Sequence, residues 1–171
     1  NNIKFSSVKV VANLPYYITT PILFKLLEDE NSISSITVMV QKEVADRMVA
    51  SPKSKEYGIL TLMVDYFSNA DTKLIVPNSS FIPEPGVTSA VINLQKDRKY
   101  EVKDEKVFFE LIHKAFAQRR KKMVNSLTST NFNNMDKQSI EKLFSDCGIK
   151  LTARAEELEI EDFIKLANSI E

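Results

Sequence analysis

Val8-Lys9-Val10-Val11-Ala12-Asn13-Leu14-Pro15-Tyr16, with Thr20-Pro21 close behind, is the stretch on which the fold turns. Val8 to Ala12 is a short run rich in β-branched residues, and Asn13-Leu14-Pro15 ends it. Thr20 then offers an N-cap with Pro21 at the first helical position. The spacing of Ile22, Leu23, Leu26 and Leu27 predicts a helix to about Glu30. A strand passing through a short loop into a helix is the repeating unit of α/β folds.

Outward from there the unit recurs. Ile36 to Val40 reads as a buried strand, and Gln41 to Ala50 as a helix stopped by Ser51-Pro52. A further helix runs from Tyr57 or Gly58 to Phe67. Strands at Thr72 to Val76 and Val87 to Gln95 flank the proline-rich loop Phe81-Ile82-Pro83-Glu84-Pro85-Gly86. Continuous apolar strands alternating with helices predict a mostly parallel, helix-covered sheet. The last two strands, joined without a helix, should pair antiparallel at one edge. Lys96-Asp97-Arg98-Lys99 then marks a domain boundary, and the pattern beyond it is helical. One long amphipathic helix is expected from Asp104 to about Ser129, a second from Asp136 to Cys147, and a third from Glu161 to Ile170. Asp136 is the N-cap of the second, and Gly148 its C′ residue.

Composition narrows the function classes. The chain has 171 residues, 43% hydrophobic and 27% charged, which is the balance of a globular protein. No apolar run approaches the roughly 18 residues of a membrane span, and no signal-peptide pattern is present. Cys147 is the single cysteine, so an intrachain disulfide is excluded and a reducing, cytoplasmic setting is expected. With one histidine and one cysteine, no zinc site of the usual type is expected, and no metal at all. The three glycines, Gly58, Gly86 and Gly148, are too far apart to form a phosphate-cradling loop. Net charge is zero but uneven: residues 96–135 hold 10 basic and 5 acidic side chains, whereas residues 136–171 hold 5 and 9. The basic block points to an anionic partner or, equally, to a solvated helix face.

Three groups of residues bear on chemistry. Asn13-Leu14-Pro15-Tyr16 lies where a strand ends, the place where open α/β sheets bind ligands. The exocyclic amine of adenine is a poor nucleophile because its lone pair is delocalised into the ring. Asn13 Oδ1 and the Leu14 carbonyl are two acceptors for its two N–H groups, favouring a pyramidal nitrogen that can attack an electrophilic methyl. Tyr16 offers a stacking face for the base, and Phe81, held on its Pro/Gly-rich loop, a second one for a base turned out of its helix. Taken alone, each motif is more simply a strand end with an Asx-turn and a hairpin with a core phenylalanine. The third group is Arg119-Arg120-Lys121-Lys122, where Arg119 and Arg120 fall on the expected apolar stripe of the long helix. They suit a phosphate backbone, or a salt bridge to Glu156 or Glu157. Neither His113 nor Cys147 is assigned a role.

In their order these segments resemble one family closely. Asn13 to Ile22, Gln41 to Met48, Ser54-Lys55-Glu56-Tyr57-Gly58, Phe81 to Ser89 and Phe116-Ala117-Gln118-Arg119-Arg120-Lys121 match the motifs of the KsgA/RsmA family, the small-subunit (16S) rRNA adenine-N6,N6-dimethyltransferases. The resemblance covers nearly the whole chain. It implies the second half of a Rossmann-like sheet over residues 1–97 and a small helical rRNA-binding domain over 98–171. It implies methyl transfer from S-adenosylmethionine to N6 of two adjacent adenosines near the 3′ end of 16S rRNA, by a monomer. By the same resemblance Asn13 touches both cofactor and target amine, Leu14 presents its carbonyl with Pro15 behind it, Tyr16 and Phe81 stack on the base, and Arg119 to Lys122 grip RNA. The family's glycine-rich cofactor loop has no counterpart here, so the chain looks like a fragment that neither binds the cofactor appreciably nor methylates by itself. The alternatives are a non-catalytic RNA-binding or ribosome-assembly module, and the macrolide-resistance methyltransferases acting on large-subunit rRNA.

Overall fold

A computed structural model of the chain describes residues 7–28 and 32–170. The expected end of the first helix, Glu30, lies outside them. The chain divides into two compact units, Asn1–Ala50 with Leu60–Lys99, and Ser51–Ile59 with Tyr100–Glu171.

The first unit is a four-stranded sheet with helices. Its strands are β1 (Val8–Asn13), β2 (Ile33–Gln41), β3 (Ser68–Val76) and β4 (Ser89–Lys96), in the spatial order β1-β2-β4-β3. α1 (Thr19–Glu28) links β1 to β2, and α2 (Lys42–Met48) and α3 (Ile59–Phe67) lie between β2 and β3 in the chain. β1 and β2 are parallel, and α1 is the crossover that a parallel pair requires. The other two pairings, β2 with β4 and β3 with β4, are antiparallel. Three of the four strands, β1, β2 and β3, therefore run the same way, and β3 and β4 pair antiparallel at one edge as expected; what differs is that the reversed strand, β4, lies inside the sheet. The reason is local: β3 and β4 are joined by the proline-rich segment with no helix, so β4 folds back and fills the place between β2 and β3.

Burial follows the strands' positions. Ile36, Val38, Val40, Ala90, Ile92 and Leu94 on the two central strands are inaccessible to solvent, and Leu23 and Leu27 of α1 are too. β3, at the edge, leaves Leu74 and Ile75 exposed. α3 is buried almost all round, from Leu60 to Phe67. α1 starts two residues earlier than expected: Thr19 is its first residue and donates its Oγ1 hydroxyl to the Pro15 carbonyl at 3.0 Å. Thr20 is thus inside the helix, and Pro21 sits in the first turn, where a missing N–H costs nothing. The charged stretch after β4 is packed down. Lys96 lies over the Phe67 ring and Arg98 over Tyr66, 5.1 and 5.7 Å from the ring centroids, and Lys99 pairs with Asp65 at 3.5 Å.

The second unit is helical: α4 (Glu105–Phe116), α5 (Met123–Ser129), α6 (Lys137–Asp146) and α7 (Ile160–Asn168). The single helix expected from Asp104 to Ser129 is two, separated by turns at residues 117–122. α4 ends before the four consecutive cations Arg119 to Lys122. The Met123 N–H, which a continuous helix would give to residue 119, instead donates to the Ala153 carbonyl at 2.8 Å. The core joins Phe108, Leu111 and Ile112 of α4 with Met123 and Leu127 of α5, Phe144 of α6 and Phe163 of α7, all inaccessible. Residues 51–59 belong to this unit through Tyr57, whose hydroxyl donates to the Leu158 carbonyl at 2.8 Å. Cys147 is buried, as a small hydrophobe would be.

The caps of α6 are those expected. Asp136 Oδ1 accepts the Ser139 N–H at 2.8 Å, and Gly148, at φ 70°, donates its N–H to the Ser145 carbonyl at 3.0 Å. The Ser139 backbone bond, aided by the Ser139 side chain, holds the Asp136 carboxyl below its ordinary value. A depressed carboxyl stabilises the fold above the ordinary carboxylate range and loses that contribution as pH falls through the lowered value. Asp136→Asn should therefore flatten the acid limb of the stability profile, measured as melting temperature in steps from pH 6 to about pH 2.

Candidate active site

The first unit gathers the sequence-predicted loop residues at one end of its sheet. Asn13, the last residue of β1, pairs with Met39 of β2, and Leu14 extends the ladder by donating its N–H to the Met39 carbonyl at 3.2 Å. This is the carboxyl end of the two parallel strands, where the rule for open α/β sheets places a ligand. Residues Tyr16–Ile18 then form a short 3-10 turn, closed by the Ile18 N–H on the Pro15 carbonyl at 3.2 Å. From the other side, β4 begins at the same end, with Ser89 opposite Gln41. The loop before it carries Phe81.

Between the two loops lies an open pocket of about 360 Å³. Asn13, Leu14, Pro15 and Tyr16 form one wall, and Phe81 with Ile82, Pro83 and Pro85 forms the other. All five residues predicted to handle adenine thus line one space. Leu14 is buried, while Asn13 and Pro15 are exposed. Neither the Asn13 carboxamide nor the Leu14 carbonyl is engaged in a hydrogen bond among the described residues. Tyr16 is half-buried, and its hydroxyl shares a 2.7 Å hydrogen bond with Ser89 Oγ. Phe81 is half-buried as well. Chemically the pocket offers two oxygen acceptors on one wall and an aromatic face on each, with no basic or acidic side chain among its lining residues. That set suits a flat, uncharged heterocycle carrying an amine.

Two features of the pocket go beyond what the sequence reading singles out. The second wall includes Ile82, which is fully exposed at the loop tip, together with Pro83 and Pro85. Ser89 holds Tyr16 although 73 residues separate them. No spacing rule links two such positions; only strand register brings them together.

The basic residues lie in the second unit and do not sit on a helical stripe. Arg119, Arg120, Lys121 and Lys122 occupy the turns between α4 and α5 and are exposed. Arg119 is tied down: its Nε donates to Glu156 Oε2 at 2.7 Å and its Nη2 to the Ser54 carbonyl at 3.2 Å. This is the salt bridge that competes with phosphate binding as a use for that side chain. Arg120, Lys121 and Lys122 form no ion pair among the described residues. Among the same residues there is no cluster of three or more His, Cys, Asp or Glu able to hold a metal ion, and no helix long and apolar enough to cross a membrane.

The fold defines the class, part of a Rossmann-like α/β sheet followed by helices. Two solved structures share this arrangement. A dimethyladenosine transferase from Plasmodium falciparum aligns with a TM-score of 0.81 and 25% identity, over 97% of this chain and 66% of that one. The 23S rRNA methyltransferase ErmE aligns with a TM-score of 0.65 and 20% identity, likewise over 97% and 66%, a likeness of fold. The chain belongs to the ribosomal RNA adenine dimethylase family, whose profile matches residues 3–171. Among curated relatives, the ribosomal RNA small subunit methyltransferase A of Bacillus cytotoxicus is 47% identical over 167 residues, covering 95% of this chain and 57% of the relative. That of Bacillus mycoides matches equally. The chain therefore spans 57% of the length of these relatives.

The Arg119–Glu156 pair yields a quantitative expectation. Its side chains are 42% and 27% exposed, so solvent screens much of the attraction. A double-mutant cycle with Arg119→Ala and Glu156→Ala, read by urea unfolding, should give a coupling of about 0.2–1 kcal/mol.

Proposed function

We propose that the chain supplies the acceptor side of an rRNA adenine-N6,N6-dimethyltransferase that uses S-adenosylmethionine and modifies two adjacent adenosines near the 3′ end of 16S rRNA. The observation that carries this is the single pocket in which Asn13, Leu14, Tyr16 and Phe81 meet at the carboxyl end of β1. Family membership and the names of the curated relatives support the substrate class.

The catalytic roles fall on Asn13, Leu14, Pro15, Tyr16 and Phe81. Asn13 Oδ1 and the Leu14 carbonyl accept the two N–H groups of the adenine amine and hold the nitrogen pyramidal, with its lone pair directed out of the ring plane. Pro15 has no N–H to compete for either acceptor. The Tyr16 and Phe81 rings take the two faces of an extruded base. S-adenosylmethionine supplies an electrophilic methyl group when bound. Of the chain's residues, Asn13 is the one whose chemistry fits that cofactor, because its unengaged amide sits at the strand end where the methyl group must meet the amine. The glycines form no cradle for it, since Gly58, Gly86 and Gly148 each face open space.

Residues 1–97, apart from 51–59 that pack within the helical unit, are assigned to the methyltransferase domain and 98–171 to a helical rRNA-binding domain, with Arg119, Arg120, Lys121 and Lys122 as the side chains that meet phosphate. The remaining assignments are a metal-free monomer in the cytoplasm, engaged with the small ribosomal subunit and with no membrane. Because Arg119 is already paired, Arg120, Lys121 and Lys122 carry most of the grip on RNA.

Two experiments test these roles. In a protein of the relatives' full length that carries this chain, Asn13→Ala should lower kcat for methyl transfer by roughly 10²–10³ with little change in KM for RNA. Wild-type turnover would remove Asn13 from the chemistry. In the same protein, Arg120→Glu with Lys121→Glu should weaken rRNA binding and make the salt slope shallower by about one for each phosphate no longer neutralised. Filter binding across a salt series measures both, and an unchanged slope would return these residues to the solvated surface.

A further inference from the structure

We propose that Ser89 is a positioning residue for the base-binding pocket, setting the Tyr16 ring against the face of the bound base. The inference rests on the adenine-pocket reading and adds to it a residue outside the pocket lining. Ser89 is completely buried. It is the first residue of β4, aligned with Gln41 of β2 and Val76 of β3, so three strands fix its backbone at the end of the sheet. The preceding residue is clamped as well, because the Thr88 carbonyl accepts the Lys42 N–H at 2.9 Å.

Tyr16 is held at its two ends. Its backbone is set by the 3-10 turn closed on Pro15, and its hydroxyl by the 2.7 Å bond to Ser89 Oγ, in which either oxygen can donate. A tyrosine has two side-chain torsions, and fixing the phenol oxygen restricts both. The ring then meets a base without first being ordered. Ser89 also terminates the loop that carries Phe81, so this one bond ties the two walls of the pocket together across 73 residues. The separation of the two stacking faces is thereby a property of the sheet.

A buried serine on a central strand has a plain structural use, and the test must separate the two. The 171-residue chain would be titrated into a short single-stranded oligoribonucleotide carrying 2-aminopurine, whose fluorescence is quenched when an aromatic ring stacks on it. The variants are Ser89→Ala, Tyr16→Phe, the double variant, Tyr16→Ala and Phe81→Ala, each checked for folding by thermal melting. Ser89→Ala and Tyr16→Phe should each weaken binding by about threefold to tenfold, the cost of ordering one side chain, and lower the quench at saturation. The double variant should be no worse than either single one, since both remove the same bond. A folded Ser89→Ala with wild-type affinity and quench overturns the proposal. Should Ser89→Ala not fold, Tyr16→Phe interrogates the bond from the exposed side, and wild-type behaviour there overturns it equally. If the wild-type chain gives no quench, or Tyr16→Ala and Phe81→Ala leave it intact, the pocket itself is not a base site and both readings fall.

Discussion

β4 is the strand on which the rest of the first unit depends. It is bonded on both sides, to β2 through Ile92↔Val38 and its neighbours and to β3 through Ile92↔Thr72 and its neighbours. Ala90, Ile92 and Leu94 bury one face of it completely. Because β4 runs antiparallel to β2, its first residue lies beside the last residue of β2. The loop before β4 is thus delivered to the same end of the sheet as the loop after β1. Neither loop builds the pocket alone; strand direction forces them to share an end. A one-residue slip of β4 would turn Ser89 to the opposite face and swap buried for exposed positions along the strand. Burial of the alternate side chains therefore fixes the pocket as firmly as it fixes the sheet.

The helical unit is organised by a different constraint. The apolar residues of α4 and α5 continue one stripe in sequence, but the chain breaks between them and returns a backbone donor to Ala153. The break puts the four cations in exposed turns, and not along one helical face. Glu156 then captures Arg119, which leaves three basic side chains for a partner. The cations of residues 96–135 that a partner could engage are reduced further by Lys99 on Asp65 and Lys114 on Glu110, and by Arg98 lying on Tyr66. A count of charges overstates how much of that block can meet phosphate.

How much is legible in the sequence follows from the range of each interaction. The Asn13 loop, the caps at Asp136 and Gly148, and the hairpin character of β3 and β4 are set within a few residues, so local patterns reveal them. The break after Phe116 is not legible, because Met123 follows it by seven residues, two helical turns, so the apolar stripe keeps its phase across the turns. Nor does chain order reveal that β4, not β3, lies against β2. The Tyr16–Ser89 bond is hidden for the same reason: both residues stand in recognisable motifs, but only the register of β2 with β4 makes them neighbours.

The proposed chemistry divides unevenly between side chain and backbone, and that shapes what substitution can show. One acceptor for the amine is the Asn13 amide, which a mutation removes cleanly. The other is the Leu14 carbonyl, which every residue at that position would also possess. Leu14 is 6% exposed and its side chain serves packing, so replacing it perturbs the carbonyl only through displacement of the loop. What guards that carbonyl is its surroundings: the Leu14 N–H is committed to Met39, and Pro15 has no N–H of its own. A backbone acceptor leaves no residue type in the sequence to mark it. Its presence is inferred from the proline beside it and the strand that ends just before, which is why a four-residue loop says so little alone and so much once the sheet has placed an aromatic loop opposite.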